Sequence, residues 1–150
     1  MLTQRLITLT CFFLLCGCGS DHAPSAPVTV SDAWVRTPMP NATMTAGYLA
    51  MTNTTQSTLR VVGVTSPQFA RVEIHETTLV DGTMRMRPVA YLDITAGDTL
   101  VLKPGAQHLM LIEPKQALDA TTTVSLSVMI EDGSQIDLTL PVSQRAPNVQ

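Results

Sequence analysis

Residues 122–142 read TTVSLSVMIEDGSQIDLTLPV, two apolar runs on either side of Asp132-Gly133. Each run has the length of a β-strand and is rich in the residue types that strands favour. A tight turn between paired strands needs residues that accept a positive φ, and an Asp-Gly pair accepts it. The stretch therefore predicts a β-hairpin with strands at 122–130 and 135–142.

Short apolar runs separated by turn signals also fill the chain before this hairpin. Asp81-Gly82 stands between two runs, and Pro67, Pro104-Gly105 and Pro114 separate others. The predicted strands are 28–35, 47–52, 58–65, 71–77, 83–89, 92–95, 99–102, 108–113, 122–130 and 135–142. No segment keeps a 3.6-residue period, although residues 113–118 could form one helical turn. The spacing predicts an all-β single domain, either a sandwich or a barrel.

The composition excludes some classes of function and raises one question. The chain has 150 residues, of which 45% are apolar and 14% charged, and its formal net charge is −3. Nine Lys and Arg against twelve Asp and Glu, with no basic run, leave no surface for a nucleic-acid backbone. No nucleic-acid partner is therefore expected. Eight methionines beside six aromatic residues are either core filler or thioether ligands.

The N-terminus has the pattern of a bacterial export signal. Residues 1–5 carry one positive charge and precede an apolar run of about ten residues, too short to span a bilayer of roughly 30 Å. Leu15-Cys16-Gly17-Cys18 then resembles the lipobox, in which the last Cys is lipidated. The predicted organisation is a signal peptide at 1–17, the lipidated Cys18 and a tether at 18–27, a domain at 28–143 and a short tail at 144–150.

A lipid on Cys18 would hold the domain at a membrane outside the cytoplasm. Acyl chains contribute about 0.8 kcal/mol per buried CH₂, enough for firm anchoring when several chains are attached. The expected location is the periplasm, and Gly19 in place of Asp favours the outer membrane. Plain secretion with cleavage nearby is the alternative. Because Cys11 and Cys16 leave with the signal, the mature domain has no thiolate for binding a metal.

One predicted strand places two candidate metal ligands on the same face. Successive strand side chains point to opposite faces, so Leu109 and Leu111 share one face while His108 and Met110 share the other. The Leu face is the natural core face, which leaves the imidazole and the thioether on the outer face, about 7 Å apart at Cα. The same parity places His75 on the polar face of its own strand.

Residues 84–87 alternate Met with Arg, and this periodicity places Met84 and Met86 inside because Arg is expected outside. A single outward His is usually a surface residue, and a Met on a strand is usually core filler. Two His with neighbouring Met, however, form a neutral and soft donor set. Such a set suits Cu(I) and is poor for Mg²⁺, Ca²⁺ or Zn²⁺.

The spacing of four of these residues resembles a family signature. His75, ten residues, Met86, twenty-one residues, then His108-Leu109-Met110 is similar to H-x(10)-M-x(21)-H-x-M, the pattern of the periplasmic copper chaperone family PCu(A)C. Further similar segments are 32–36, 46–48, 75–77, 84–88, 102–105 and 131–133. The resemblance implies a cupredoxin-like Greek-key β-sandwich. It also implies that His75, Met86, His108 and Met110 bind one Cu(I) per chain. For Met86 this differs from the interpretation by periodicity, which places that side chain inside.

The resemblance implies delivery of copper towards the CuA site of cytochrome c oxidase. The expected partner is a membrane-bound acceptor such as subunit II of that oxidase or its assembly factors, and the chain is expected to be a monomer. Met84 is expected either in the core or next to the ligands, and Glu76 is a second candidate for a position next to them. Met44 is expected in a loop and Met51 in the core.

An enzyme is not expected, because the mature chain lacks a Cys nucleophile and a nucleophile elbow and its His have no acid–base partner beyond Glu73 and Glu76. Two alternatives to a chaperone stay open. One is a copper-sequestering protein that transfers the ion to no acceptor. The other is a structural, Ig-like lipoprotein in which the His and Met positions are coincidental.

Overall fold

The computed structural model describes residues 26–144 and 146. Its elements are β1 (Val28–Arg36), β2 (Met44–Asn53), β3 (Leu59–Thr65), β4 (Phe69–Val80), β5 (Thr83–Pro88), β6 (Leu92–Ile94), β7 (Thr99–Leu102), β8 (Gln107–Pro114), β9 (Thr123–Ile130) and β10 (Gln135–Ser143). Each predicted strand is present, with both ends within three residues of the expected bounds. The all-β prediction is confirmed. The possible helical turn at 113–118 is absent, because 113 and 114 belong to β8, 115 and 116 form a bend, and 117 and 118 have no regular structure.

Seven of the strands close into a barrel-like sheet. Their order is β4-β8-β2-β1-β10-β9-β3, and β3 pairs back with β4. Neighbours are antiparallel except for β1 and β10, which run parallel. The other three strands attach to this sheet: β5 pairs with β4, β6 with β3 and β7 with β2. Neighbours that are distant in sequence produce the crossovers of a Greek-key arrangement.

Both predicted Asp-Gly turns connect neighbouring strands. Asp81 and Gly82 have φ values of 51° and 75° and link β4 to β5. Positive φ at both central residues is the condition of a type I′ turn, so this hairpin forms as predicted. Gly133, with φ of 87°, turns the chain between β9 and β10.

The core lies inside the barrel and is built mainly from alternate positions of the strands other than β5. Leu109 and Leu111 of β8 are fully buried there, as the parity of that strand predicted. Met51 is also buried in the core, as expected. Fully burying one such side chain stabilises the fold by about 1.5–3 kcal/mol. Trp34 and Tyr48 are buried as well, but they lie outside this core cluster.

The predicted signal peptide, Cys18 and most of the tether lie outside the described residues. Most of the predicted tail, 145 and 147–150, also lies outside them. In the part of the chain that is described, no helix is long and apolar enough to cross a membrane.

Candidate metal centre

Strand register brings the four predicted ligands onto one sheet face. His75 of β4 is the direct cross-strand partner of His108 in β8, and their ring centroids are 6.0 Å apart. Met86 of β5 is paired with Thr77, which lies two residues after His75 and so on the same face. Met110 follows His108 by two residues, also on that face. The two thioethers therefore flank the pair of imidazoles from neighbouring positions.

The outer face of the sheet is covered at this point, which the alternation within β8 did not reveal. His108 is only 4% exposed, and Met110 is half-buried. Tyr48 of β2 lies beside His108, with ring centroids 6.5 Å apart, and Trp34 packs on Tyr48 at 4.7 Å. The Arg36 guanidinium lies over the Tyr48 ring at 5.6 Å. Burial raises the pKa of the Tyr48 phenol, and the nearby guanidinium partly opposes that rise.

Each imidazole has one nitrogen held by the protein. His108 Nδ1 donates to the Ala106 carbonyl at 3.0 Å, which leaves the Nε2 lone pair available. His75 Nε2 donates to Glu73 Oε2 at 2.8 Å, so Nδ1 carries the lone pair. His75 Nδ1 is buried and has no hydrogen-bond partner. Metal-binding His typically donate the other ring N–H to a carboxylate or a backbone carbonyl, and both His follow that pattern.

Glu73 supports His75 and was missed as a member of the site. Its carboxylate accepts hydrogen bonds from His75 and from Arg71 Nε, at 2.8 and 3.0 Å. These two hydrogen bonds lower the pKa of the Glu73 carboxyl and keep it ionised, and the bond from His75 has the larger effect. Glu73 is also the cross-strand partner of Met110. The signal available in the sequence was its spacing, because residues two apart share a strand face.

Glu76 lies on the opposite face of β4 from His75. It is the cross-strand partner of Arg87, and the two side chains form an ion pair at 3.1 Å. The structure therefore brings Glu73, and not Glu76, into contact with the imidazole.

The periodicity prediction for β5 is wrong, because neither Met84 nor Met86 points into the core. β5 is an edge strand in which all six residues are exposed, so neither of its faces contacts the barrel interior. Met84 is 56% exposed and Met86 51%. The interpretation of Met84 as core is thus overturned, whereas Met86 is accessible on the face that carries His75.

A cleft of about 480 Å³ opens beside three of the four predicted ligands, and His75 is not part of its lining. Its lining includes His108, Met110 and Met86. Two imidazole lone pairs and two thioethers form a neutral donor set that favours a soft monovalent ion over hard cations. Among the described residues, no three His, Cys, Asp or Glu side chains are close enough to hold an ion together.

Comparison with known sequences shows extended similarity. Residues 28–142 match the family described as "Putative lipoprotein LpqE-like". "Putative lipoprotein Lxx21020" of Leifsonia xyli subsp. xyli (strain CTCB07) is 34% identical over 149 residues, covering 92% of this chain and 88% of that protein. "Uncharacterized protein RP573" of Rickettsia prowazekii (strain Madrid E) is 29% identical over 103 residues, which cover 68% of this chain and 57% of that protein.

Comparison with solved structures confirms the cupredoxin-like fold of PCu(A)C domains. The structure named "Copper-bound PCuAC domain from PmoF2" has a TM-score of 0.66 at 16% identity, covering 80% of this chain and 95% of that one. "Solution structure of apo-DR1885 from Deinococcus radiodurans" has a TM-score of 0.63 at 26% identity and covers 97% of each chain. The structure "CuI-DR1885" from the same organism has a TM-score of 0.63 at 26% identity, covering 85% of this chain and 84% of that one.

Proposed function

The chain belongs to the LpqE-like family, and from this premise we propose that it is an extracytoplasmic copper chaperone that carries one Cu(I). The observation that supports this most is the buried His75 Nδ1 without a partner, beside His108 with its Nε2 lone pair available. A buried acceptor left unpaired is costly unless something binds it. The name of the similar protein CuI-DR1885 states that it holds Cu(I).

The proposed ligands are His75 Nδ1, His108 Nε2 and the thioether sulfurs of Met86 and Met110. All four are neutral, so the bound ion keeps its single positive charge. The Glu73 carboxylate, which accepts from His75, raises the basicity of that imidazole and fixes its orientation. Thioethers also resist the oxidation to disulfides that paired thiolates would undergo outside the cytoplasm.

The unequal burial of the ligands supports transfer by stepwise ligand exchange. Met86 lies on an exposed edge strand, so a ligand atom of the partner protein can replace its sulfur first. His108, which is buried beside Tyr48, would release the ion last. Acceptor thiolates are softer and negatively charged, so they draw Cu(I) away from a neutral donor set.

The proposed destination is the CuA site of cytochrome c oxidase, reached through subunit II or an assembly factor. Lipidation of Cys18 would confine the chaperone to acceptors at the same membrane face. The name of the similar protein from Leifsonia xyli, "Putative lipoprotein Lxx21020", supports such an anchor.

The copper site is tested by anaerobic titration of the full chain in detergent with Cu(I) against a competing chelator. One ion per chain is expected, and Met86→Ala should weaken binding by about tenfold or more. Met84→Ala is the matched control, since Met84 lies two residues away on the same strand face with similar exposure. Equal losses in the two variants, or none in either, would contradict the ligand assignment.

Transfer is tested separately by mixing the Cu(I)-loaded chain with the copper-free CuA domain of an oxidase subunit II. Appearance of copper in the acceptor after separation of the two proteins is expected. Retention of all copper by the loaded chain would instead indicate a sequestering protein, and absence of copper binding in the first place would favour the structural alternative.

A further inference from the structure

Two methionines that are not among the proposed ligands line the same cleft. Met39 is 78% exposed and Met44 49%, and both lie in the cleft wall with Met86 and Met110. Seven methionines follow Met1, and four of them therefore line this one cleft. Exposed apolar side chains are ordinary when they are scattered, but a cluster around a cleft marks a binding site.

The register of β2 fixes the position of Met44. Met44 is the cross-strand partner of Ile112, and Ala46 is the partner of Met110. Because Met44 and Ala46 lie two residues apart, Met44 is on the same sheet face as Met110 and one position further along the strands. Met44 therefore lies on the sheet face that carries Met110 and His108, on the strand next to theirs.

A defined turn holds Met39 at the cleft. The Ala42 N–H donates to the Met39 carbonyl at 3.0 Å, and Asn41 has a φ of 61°. Pro40 and a positive φ at Asn41 fit the two central positions of a type II turn.

Both ends of the loop that carries this turn are tied to neighbouring strands. Thr37 N–H donates to the Ser143 carbonyl at 2.9 Å, and Glu113 N–H donates to the Thr43 carbonyl at 2.7 Å. The loop thus presents Met39 from a fixed backbone.

We propose that Met39 and Met44 form a second, weaker Cu(I) site through which the ion passes to or from the site of His75 and His108. This inference rests on the proposed function. Thioethers are soft neutral donors that suit Cu(I), and a site made of two thioethers has fewer donors than the site that also includes His75 and His108. Arg36 is the one charged side chain among the described residues that line the cleft, and its positive charge further lowers the affinity. Low affinity suits a site of passage, and copper remains Cu(I) throughout.

The test is a titration of the full chain in detergent with Ag(I), a redox-inert analogue of Cu(I), followed by NMR of ¹³C-labelled methionine ε-methyl groups. The methyl signals of Met86 and Met110 should move with the first equivalent. Those of Met39 and Met44 should move together with the next. Met39→Leu should abolish the second step, including the shift of Met44, and leave the first step unchanged.

Met84 provides the internal control, because it is about as exposed as Met44 and lies outside the cleft. Movement of the Met84 signal at the same Ag(I) concentration as Met44 would show unspecific binding and overturn the second site. So would static Met39 and Met44 signals, or a Met44 shift that persists in Met39→Leu. Static Met86 and Met110 signals would instead overturn the proposed function, and the passage site with it.

Discussion

Replacing Glu73 by Ala should lower the affinity of the proposed site for Cu(I) while leaving the stability of the fold nearly unchanged. The Glu73 carboxylate is 2.8 Å from His75 Nε2 and fixes which ring nitrogen carries the lone pair. Loss of such a partner typically costs about 10- to 100-fold in metal affinity. That range corresponds to about 1.4–2.8 kcal/mol of binding free energy. The Glu73 side chain is 38% exposed, so its own ion pairs should contribute only about 0–1 kcal/mol to folding.

The assay compares two quantities for the same variants: Cu(I) affinity by anaerobic chelator competition and the free energy of unfolding of the metal-free chain in denaturant. Glu73→Ala should lose affinity with little change in stability, and Glu73→Gln, which keeps an acceptor, should lie between Ala and wild type. Glu76→Ala is the control, because Glu76 forms an ion pair with Arg87 on the opposite face. Unchanged affinity in Glu73→Ala, or an equal loss in Glu76→Ala, would refute the reasoning.

Two further predictions concern stability. A Cβ at Gly47 would lie 3.0 Å from Leu111 Cδ1 and 3.4 Å from Leu109 Cβ, and both leucines are packed in the core. Gly47→Ala should therefore lower the free energy of unfolding by about 1–3 kcal/mol. A Cβ at Gly63 meets only the flexible end of the exposed Met129, so Gly63→Ala should stay close to wild type in denaturant unfolding; the opposite ranking would contradict this. Hydrogen bonds from two threonines lower the pKa of the Asp119 carboxyl. The ionised carboxylate therefore stabilises the fold fully when the pH is above the ordinary pKa of 3.8, and this stabilisation is lost as the pH falls through the lowered pKa. Asp119→Asn should therefore destabilise the chain at neutral pH and not in strong acid, and a pH-independent loss would count against it.

Features set within one strand could be predicted from the sequence, and features set between strands could not. The alternation in β8 placed Leu109 and Leu111 in the core and His108 on the other face. It could not show that Tyr48 lies beside His108, because β2 and β8 are far apart in the sequence and their register comes from the closed barrel. Met86 was misplaced by periodicity for a related reason, since nothing in residues 83–88 shows that this strand lies at an edge with no core beneath it.

The parallel pairing of β1 with β10 constrains when the barrel can be completed. Val35 is the cross-strand partner of Val142, 107 positions later in the chain. The sheet therefore closes only when these two distant strands pair. Contacts of such sequence separation slow folding, because a long loop must close before they form. The barrel therefore cannot close during synthesis until β10 is available to pair with β1. The strands that carry the proposed ligands, β4, β5 and β8, pair with one another and do not take part in this late closure.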